Sequence, residues 1–227
     1  MATAPSGSAR RAIARKSLDE DIADQLRQAI LSGALKPGER LTELGLAEQW
    51  QVSQGTIRAA LKTLQHEGLL DNRPRRGTFV ASVTEDDVME IYTLRDTLEA
   101  FAARRAAQRV SDTGRRTLEK ILDNMRAAAA NGDRKRMLDL DFQFHRAIVN
   151  MSGHRRLADI YANLAAQTRM FMTMTEVLHH DLDEAVTIHE PIAEAVLSGA
   201  AEAAFALSSS HTERDAVELM AALFRKP

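Results

Sequence analysis

From Ser17 to Val80 the apolar residues recur first at helical and then at strand spacing. Ile22, Ala23, Leu26, Ala29 and Ile30 lie three and four apart behind Ser17 or Asp19, either of which can open a helix that Gly33 closes. Thr42 can cap a short second helix with Leu44, Leu46 and Ala47 on its apolar side, broken at Gln51-Val52. Ser53 can cap a third, carrying Ile57, Ala60, Leu61 and Leu64 on one face as far as Gly68. This is helix-turn-helix grammar. Leu69-Leu70 and Thr78-Phe79-Val80 read as two short strands around Arg73-Pro74-Arg75-Arg76-Gly77, a rigid turn with three cations that a winged helix would place against a DNA backbone.

Beyond Val80 the pattern changes. A connection over Ala81-Ser82-Val83-Thr84 leads into residues with no strand-type alternation, and the breaks predict six helices. They run over about residues 85–109, 111–130, 133–151, 155–178, 183–198 and 201–224, separated by Ser111, Asn131-Gly132, Ser152-Gly153, His179-His180 and Gly199. Short links between long helices imply a mainly antiparallel bundle. The expected fold is therefore mainly α: an N-terminal winged helix-turn-helix with a small β wing over residues 17–82, then an all-α antiparallel bundle over 83–227. Residues 1–16, rich in Ser, Ala and Arg, have too few large apolar groups to pack and are expected to form a basic arm.

Charge sharpens the division. Residues 1–82 hold 12 of the 30 Lys and Arg against 9 of the 32 Asp and Glu, which leaves 18 against 23 for the remainder. The slight overall negative charge thus hides a positive N-terminal third, in which Arg10, Arg11, Arg15 and Lys16 could touch phosphates or form a solvated tail. No run approaches a membrane span, and the first dozen residues lack the apolar core of a secretory signal. With no cysteine, disulfides and thiolate metal sites are excluded, which suits the cytoplasm as the expected compartment.

Ala47-Glu48, Val52-Ser53, Ile57-Arg58, Ala60-Leu61, Leu64, Glu67-Gly68-Leu69-Leu70 and Arg76-Gly77-Thr78-Phe79-Val80 keep one register. Together with the link Leu35-Lys36-Pro37-Gly38-Glu39-Arg40-Leu41, they resemble the winged-helix domain of GntR-type bacterial transcription regulators. The bundle, with Leu94-Arg95, Leu98-Glu99, Asp141, Phe144-His145, His189, Ile192, Ala195 and His211, resembles the FCD effector-binding domain of the FadR-like branch of that family. The resemblance implies a homodimer that binds double-stranded DNA at an inverted repeat, a bundle that binds a small organic acid beside a divalent metal, and regulation of transcription, more often repression. It implies no catalysis and no membrane partner. The rival readings are a metal-dependent hydrolase or isomerase with an accessory winged helix, and a protein-interaction module.

On the DNA side Arg58 matches the family's recognition-helix arginine, while Ser53, Gln54 and Thr56 project from the same first turn and Arg75, Arg76 and Gly77 form the wing. Gln54 and Leu44 stand where many relatives carry arginine, so two guanine readers are absent and Gln54 would sooner pair with adenine. The operator is expected to depart from the family's usual half-site.

Asp141 and His145, four apart, leave one helix face about a turn from each other, a good two-ligand pair. His189 and His211 lie on two other helices in otherwise apolar stretches, so a bundle could gather one carboxylate and three imidazoles, a set suited to zinc first, or to nickel, manganese or iron. The bland alternative makes each histidine a core or surface residue bonded to a neighbour. Pro191 leaves two options, a helix that begins near Glu190 or one that kinks, and His154, His179 and His180 read as surface or structural. Arg95 is the candidate for an effector carboxylate, either directly or oriented by Glu99, and the alternative is a structural pair of the two. Arg169 is a weaker anion site, and Met170, Phe171, Met172 and Met174 read as core.

Overall fold

The computed structural model describes residues 16–175 and 181–224, with the backbone alone for 173–175. Expectations for Arg10, Arg11, Arg15, His179 and His180 and for the Met174 side chain lie outside the described residues.

Side-chain caps start the first helices where the sequence places them. Ser17 and Glu20 form a capping box at the head of α1 (Leu18–Leu31), which buries Ile22, Ala23, Leu26 and Ile30. Thr42 accepts from the Gly45 N–H at the start of α2 (Glu43–Trp50), and Gln51, at φ 55, turns the chain out of it. Ser53 accepts from the Thr56 N–H and opens α3 (Gln54–His66), whose Ile57, Ala60, Leu61 and Leu64 are all buried. Gly68, at φ 73, ends that run. Leu44 departs from expectation: it is 56% exposed, so α2 packs through Ala47 and the half-buried Leu46 and Trp50.

The wing is larger than expected. Three strands, β1 (Arg40–Leu41), β2 (Leu70–Arg73) and β3 (Gly77–Val80), form an antiparallel sheet in the order β1-β3-β2. Residue Arg73 belongs to a strand, paired with Gly77, and the turn proper is Pro74-Arg75-Arg76 with Arg75 at φ 64. β1 was not foreseen, because two residues carry no period.

Six longer helices follow: α4 (Glu85–Ala107), α5 (Asp112–Ala130), α6 (Arg134–Met151), α7 (Arg155–Thr175), α8 (Leu182–Leu197) and α9 (Ala201–Phe224). No helix among the described residues is long and apolar enough to cross a membrane. α8 neither begins near Glu190 nor stops at Pro191, but runs from Leu182 through the proline. Ala185 and Val186 before it and Ile192 and Ala193 after it are buried, so packing on both sides holds a helix that lacks one backbone donor.

One apolar cluster crosses from the winged helix into the bundle. It holds Leu26, Ile57 and Leu64 together with Val88, Leu164, Met170, Phe171 and Leu219. At this junction Gly68 lies so close to Gln167 of α7 that a Cβ there would stand 2.7 Å from its side chain. A second cluster, with Leu118, Leu140, Phe144 and Ile192, fills the far end of the bundle.

Candidate effector and metal site with a nucleic-acid face

Asp141 and His145 on α6, His189 on α8 and His211 on α9 are all buried, and each offers one ligand atom within 4.8 Å of the others. Helical spacing supplies the α6 pair, and packing of three helices supplies the rest. Phe144 meets the rings of His145 and His189 edge-on and walls the cluster on one side.

The hydrogen bonds fix the chemistry. His189 Nδ1 lies 2.6 Å from the Ala185 carbonyl, which only accepts, so Nδ1 carries the proton and a neutral ring turns a lone pair inward from Nε2. His145 Nδ1 lies 2.9 Å from Glu99 Oε2, and donation to that carboxylate leaves the same arrangement. The two inward Nε2 atoms stand 3.3 Å apart, and His211 Nε2 is 3.1 Å from that of His145. Asp141 Oδ1 closes the set at 3.0 Å from His189 Nε2. Ring nitrogens so close to one another and to a carboxylate must share a proton or a metal ion. One proton on His145 Nε2 cannot point along both of its imidazole neighbours.

Electrostatics favour neutral rings at two positions. Burial pushes the pKa of His189 down and, helped by the other two histidines, takes that of His211 well below the usual value. Burial also works against charge on His145, but Glu99 outweighs it and raises that pKa. The donor set of three imidazoles and one carboxylate, buried and pre-gathered, fits a divalent metal.

Glu99 is the hub of a second layer. It accepts from Arg95 Nε at 2.8 Å, and the Thr212 hydroxyl of α9, which donates to the Ser208 carbonyl at 3.0 Å, stands 3.4 Å away. Burial opposes its ionisation, and Arg95 with His145 holds its carboxyl well below the usual carboxylate range. The Arg95 guanidinium is 1% exposed, sits over the Tyr92 ring, and keeps Nη1 without a hydrogen-bond partner among the described residues. The buried hydroxyl of Tyr92 also has none among the described residues, and that of the buried Tyr161 interacts with Glu99. A groove of about 630 Å³ between α4 and α9 is lined in part by Tyr92 and Thr212. Sequence reasoning missed Tyr92, Tyr161 and Thr212, since only tertiary packing brings them to Arg95 and Glu99. Of the remaining candidates, Arg169 is paired with Asp139, His154 meets Phe101 edge-on, and Met170, Phe171 and Met172 are core.

At the other end of the molecule Ser53, Gln54 and Arg58 are exposed along α3, and Thr56 is half-buried with its hydroxyl 2.8 Å from that of Ser53. Arg58 is held by Glu43 of α2, with Nε 2.9 Å from Oε1 and Nη2 2.6 Å from Oε2. Arg75 and Arg76 are exposed at the wing tip. Arg40 of β1 joins them, its Nε 3.4 Å from where a Cβ on Gly77 would lie, and is a further cation that the unforeseen strand brings in. Gln65 of α3 donates to Thr78 of β3 at 3.3 Å and ties recognition helix to wing.

Residues 18–80 match the bacterial regulatory proteins of the gntR family, and residues 90–214 match the FCD domain. The chain is a GntR-family transcriptional regulator. An uncharacterized HTH-type transcriptional regulator, YdhC of Bacillus subtilis (strain 168), is 30% identical to it over 86% of this chain and 88% of that one. The gluconate operon transcriptional repressor of Bacillus licheniformis is 31% identical over 72% of this chain and 67% of its own length. A GntR transcriptional regulator from Rhodococcus sp. RHA1 shares the fold, with a TM-score of 0.78 at 24% identity over 92% of this chain and 100% of that one. This GntR regulator is therefore a DNA-binding protein with relatives that repress transcription. The hydrolase or isomerase reading has no support among them.

Proposed function

We propose that this regulator acts as a homodimer on an inverted-repeat operator, and that a small organic acid bound beside a divalent metal in its bundle changes its grip on DNA. Residues 17–82 form the DNA-binding unit in this reading, and 83–227 the effector-binding and dimerisation unit. Asp141, His145, His189 and His211 would hold the ion, zinc first among the candidates, and the bound ion would supply a Lewis-acidic point for an effector carboxylate. The observation that carries the reading is the set of four buried ligand atoms within 4.8 Å of one another, with the Nε2 atoms of His145 and His189 3.3 Å apart, a gathering that a cation would satisfy.

Arg95 supplies the second positive point. Its Nε is committed to Glu99 while its buried Nη1 is free, so one guanidinium serves both the structural pair and an acidic group of the effector. Two fixed positive points favour an acid with two oxygen-rich ends over a monocarboxylate. The effector enters along the groove between α4 and α9, past Tyr92 and Thr212. The operon for which the gluconate repressor is named makes sugar acids the first class to try, with dicarboxylates beside them.

DNA is held by Arg58, Gln54, Ser53 and Thr56 at base edges and nearby phosphates, and by Arg75, Arg76 and the Gly77 backbone at the wing. A monomer reads too few bases for useful specificity, which supports the dimer. The test is calorimetry of sugar acids and dicarboxylates against metal-loaded wild type and Arg95→Ala, followed by operator titration with any binder. A ligand that binds wild type, fails with Arg95→Ala and shifts operator affinity about 5- to 150-fold is expected. An Arg95→Ala protein that responds at wild-type ligand concentrations sinks the role given to this arginine.

A further inference from the structure

Glu99 is a costly residue to bury. A buried ion pair is weak ground for stability, because apolar residues of similar volume often serve as well, so the Arg95–Glu99 pair calls for another use. The carboxylate divides its two oxygens. Oε1 takes the Arg95 Nε–H, and Oε2 faces His145 Nδ1 at 2.9 Å with the Thr212 hydroxyl at 3.4 Å.

We infer that Glu99 is a positioning residue of the metal centre, which sets through the Nδ1–H of His145 which imidazole nitrogen faces the ion. The inference rests on the metal reading above and deepens it. A carboxylate behind a ligating imidazole fixes its tautomer, fixes the plane of the ring and makes the inner nitrogen a better donor. The three histidines differ in this respect. His189 has the Ala185 carbonyl behind it, His145 has a carboxylate, and His211 Nδ1 has no hydrogen-bond partner among the described residues. His145 is therefore the strongest donor of the three. Arg95 keeps Oε1 occupied, so that Oε2 stays with His145, while Thr212, next in the chain to His211, holds its hydroxyl 3.4 Å from the same carboxylate and shares its proton with the Ser208 carbonyl at 3.0 Å. An effector that engages Arg95 thus pulls on a residue one hydrogen bond from a metal ligand.

Glu99→Gln separates this role from bulk. An amide has one acceptor oxygen where Glu99 uses two. Turned toward Arg95, it aims an N–H at His145 Nδ1 and favours the tautomer that puts a proton where the ion belongs. The probe is cobalt(II) alone, added to chelator-stripped full-length protein, with affinity read by competition against a chromophoric chelator and ligand geometry read from visible absorption. The histidine tautomers are read by long-range proton–nitrogen NMR of the stripped protein. Glu99→Gln is expected to weaken cobalt about 10- to 100-fold. It is also expected to shift His145 away from the Nδ1–H form, while His189, held by a backbone carbonyl, keeps its own. Thr212→Val, which preserves shape and leaves Arg95 paired, is expected to give a smaller loss in the same direction and serves if Glu99→Gln fails to fold. Unchanged affinity and tautomer in whichever variant folds overturn the inference and leave the metal site standing. A folded wild type that takes up no cobalt overturns the metal reading and this inference with it.

Discussion

Because one apolar cluster runs from the winged helix into the bundle, the two are expected to unfold together, and Phe171→Ala is the perturbation that tests this. Phe171 lies on α7, is 3% exposed, and belongs to the cluster that also holds Leu26, Ile57 and Leu64 of the winged helix. Removing a buried phenyl ring costs about 3–5 kcal/mol in lost transfer energy and residual cavity. For a chain of this size each kcal/mol lowers the melting temperature by about 2–4 °C, so a fall of about 6–20 °C is expected. The chain provides one local probe of each half. Trp50 is the only tryptophan, and it sits on α2 of the winged helix against the shared cluster. Far-UV ellipticity is dominated by α4 to α9. Thermal melts followed by Trp50 fluorescence and by ellipticity should coincide in wild type and move together in Phe171→Ala. A Trp50 transition that stays in place while ellipticity shifts would refute the shared core and leave two separately folding units.

The metal-free protein should be most stable near pH 6.5. The lowered pKa values of His189 and His211 mean that the unfolded chain binds more protons below about 6.5, so stability falls as the solution is acidified, whereas the raised pKa of His145 makes stability fall as pH rises above about 6.5. Denaturant titrations of stripped protein across that range check both flanks, and a monotonic profile would count against the assignment. Arg58→Ala should weaken specific DNA binding about 5- to 150-fold and relax base preference, as band shifts with operator variants would reveal. Arg75→Ala should weaken all sequences alike and flatten the salt dependence by about one unit of slope, measured at two salt concentrations. Equal losses on specific and random DNA for Arg58→Ala would move base reading elsewhere on α3.

Local chemistry made most of the fold legible. Ser17, Thr42, Ser53 and Ser111 are strong caps, and each stands at a helix start, because a side-chain oxygen that satisfies an orphan N–H acts within its own turn. The candidate ligands were legible for a similar reason: Asp141 and His145 share a helix face, and two more histidines interrupt apolar stretches. What stayed hidden depends on distant partners. β1 exists through pairing with β3, and Arg40 reaches the wing only by that route. Tyr92, Tyr161 and Thr212 carry no local mark of their place beside Glu99. Leu44 misled because apolar side chains are common on surfaces, so residue type alone does not decide burial. At Pro191 the rule about backbone donors was right about the lost bond, and tertiary packing outweighed it.

Arg58 is not idle in the absence of DNA, since Glu43 already grips it with a carboxylate that mimics an acceptor edge. If α3 reads DNA as proposed, a base edge or phosphate at Arg58 has to displace the Glu43 carboxylate first. That exchange would cost little, because an ion pair open to water is weak, and it would leave Glu43 as an acidic neighbour of the bound site. Glu43→Gln would then free Arg58 without touching the residue itself, so the two halves of the pair can be told apart.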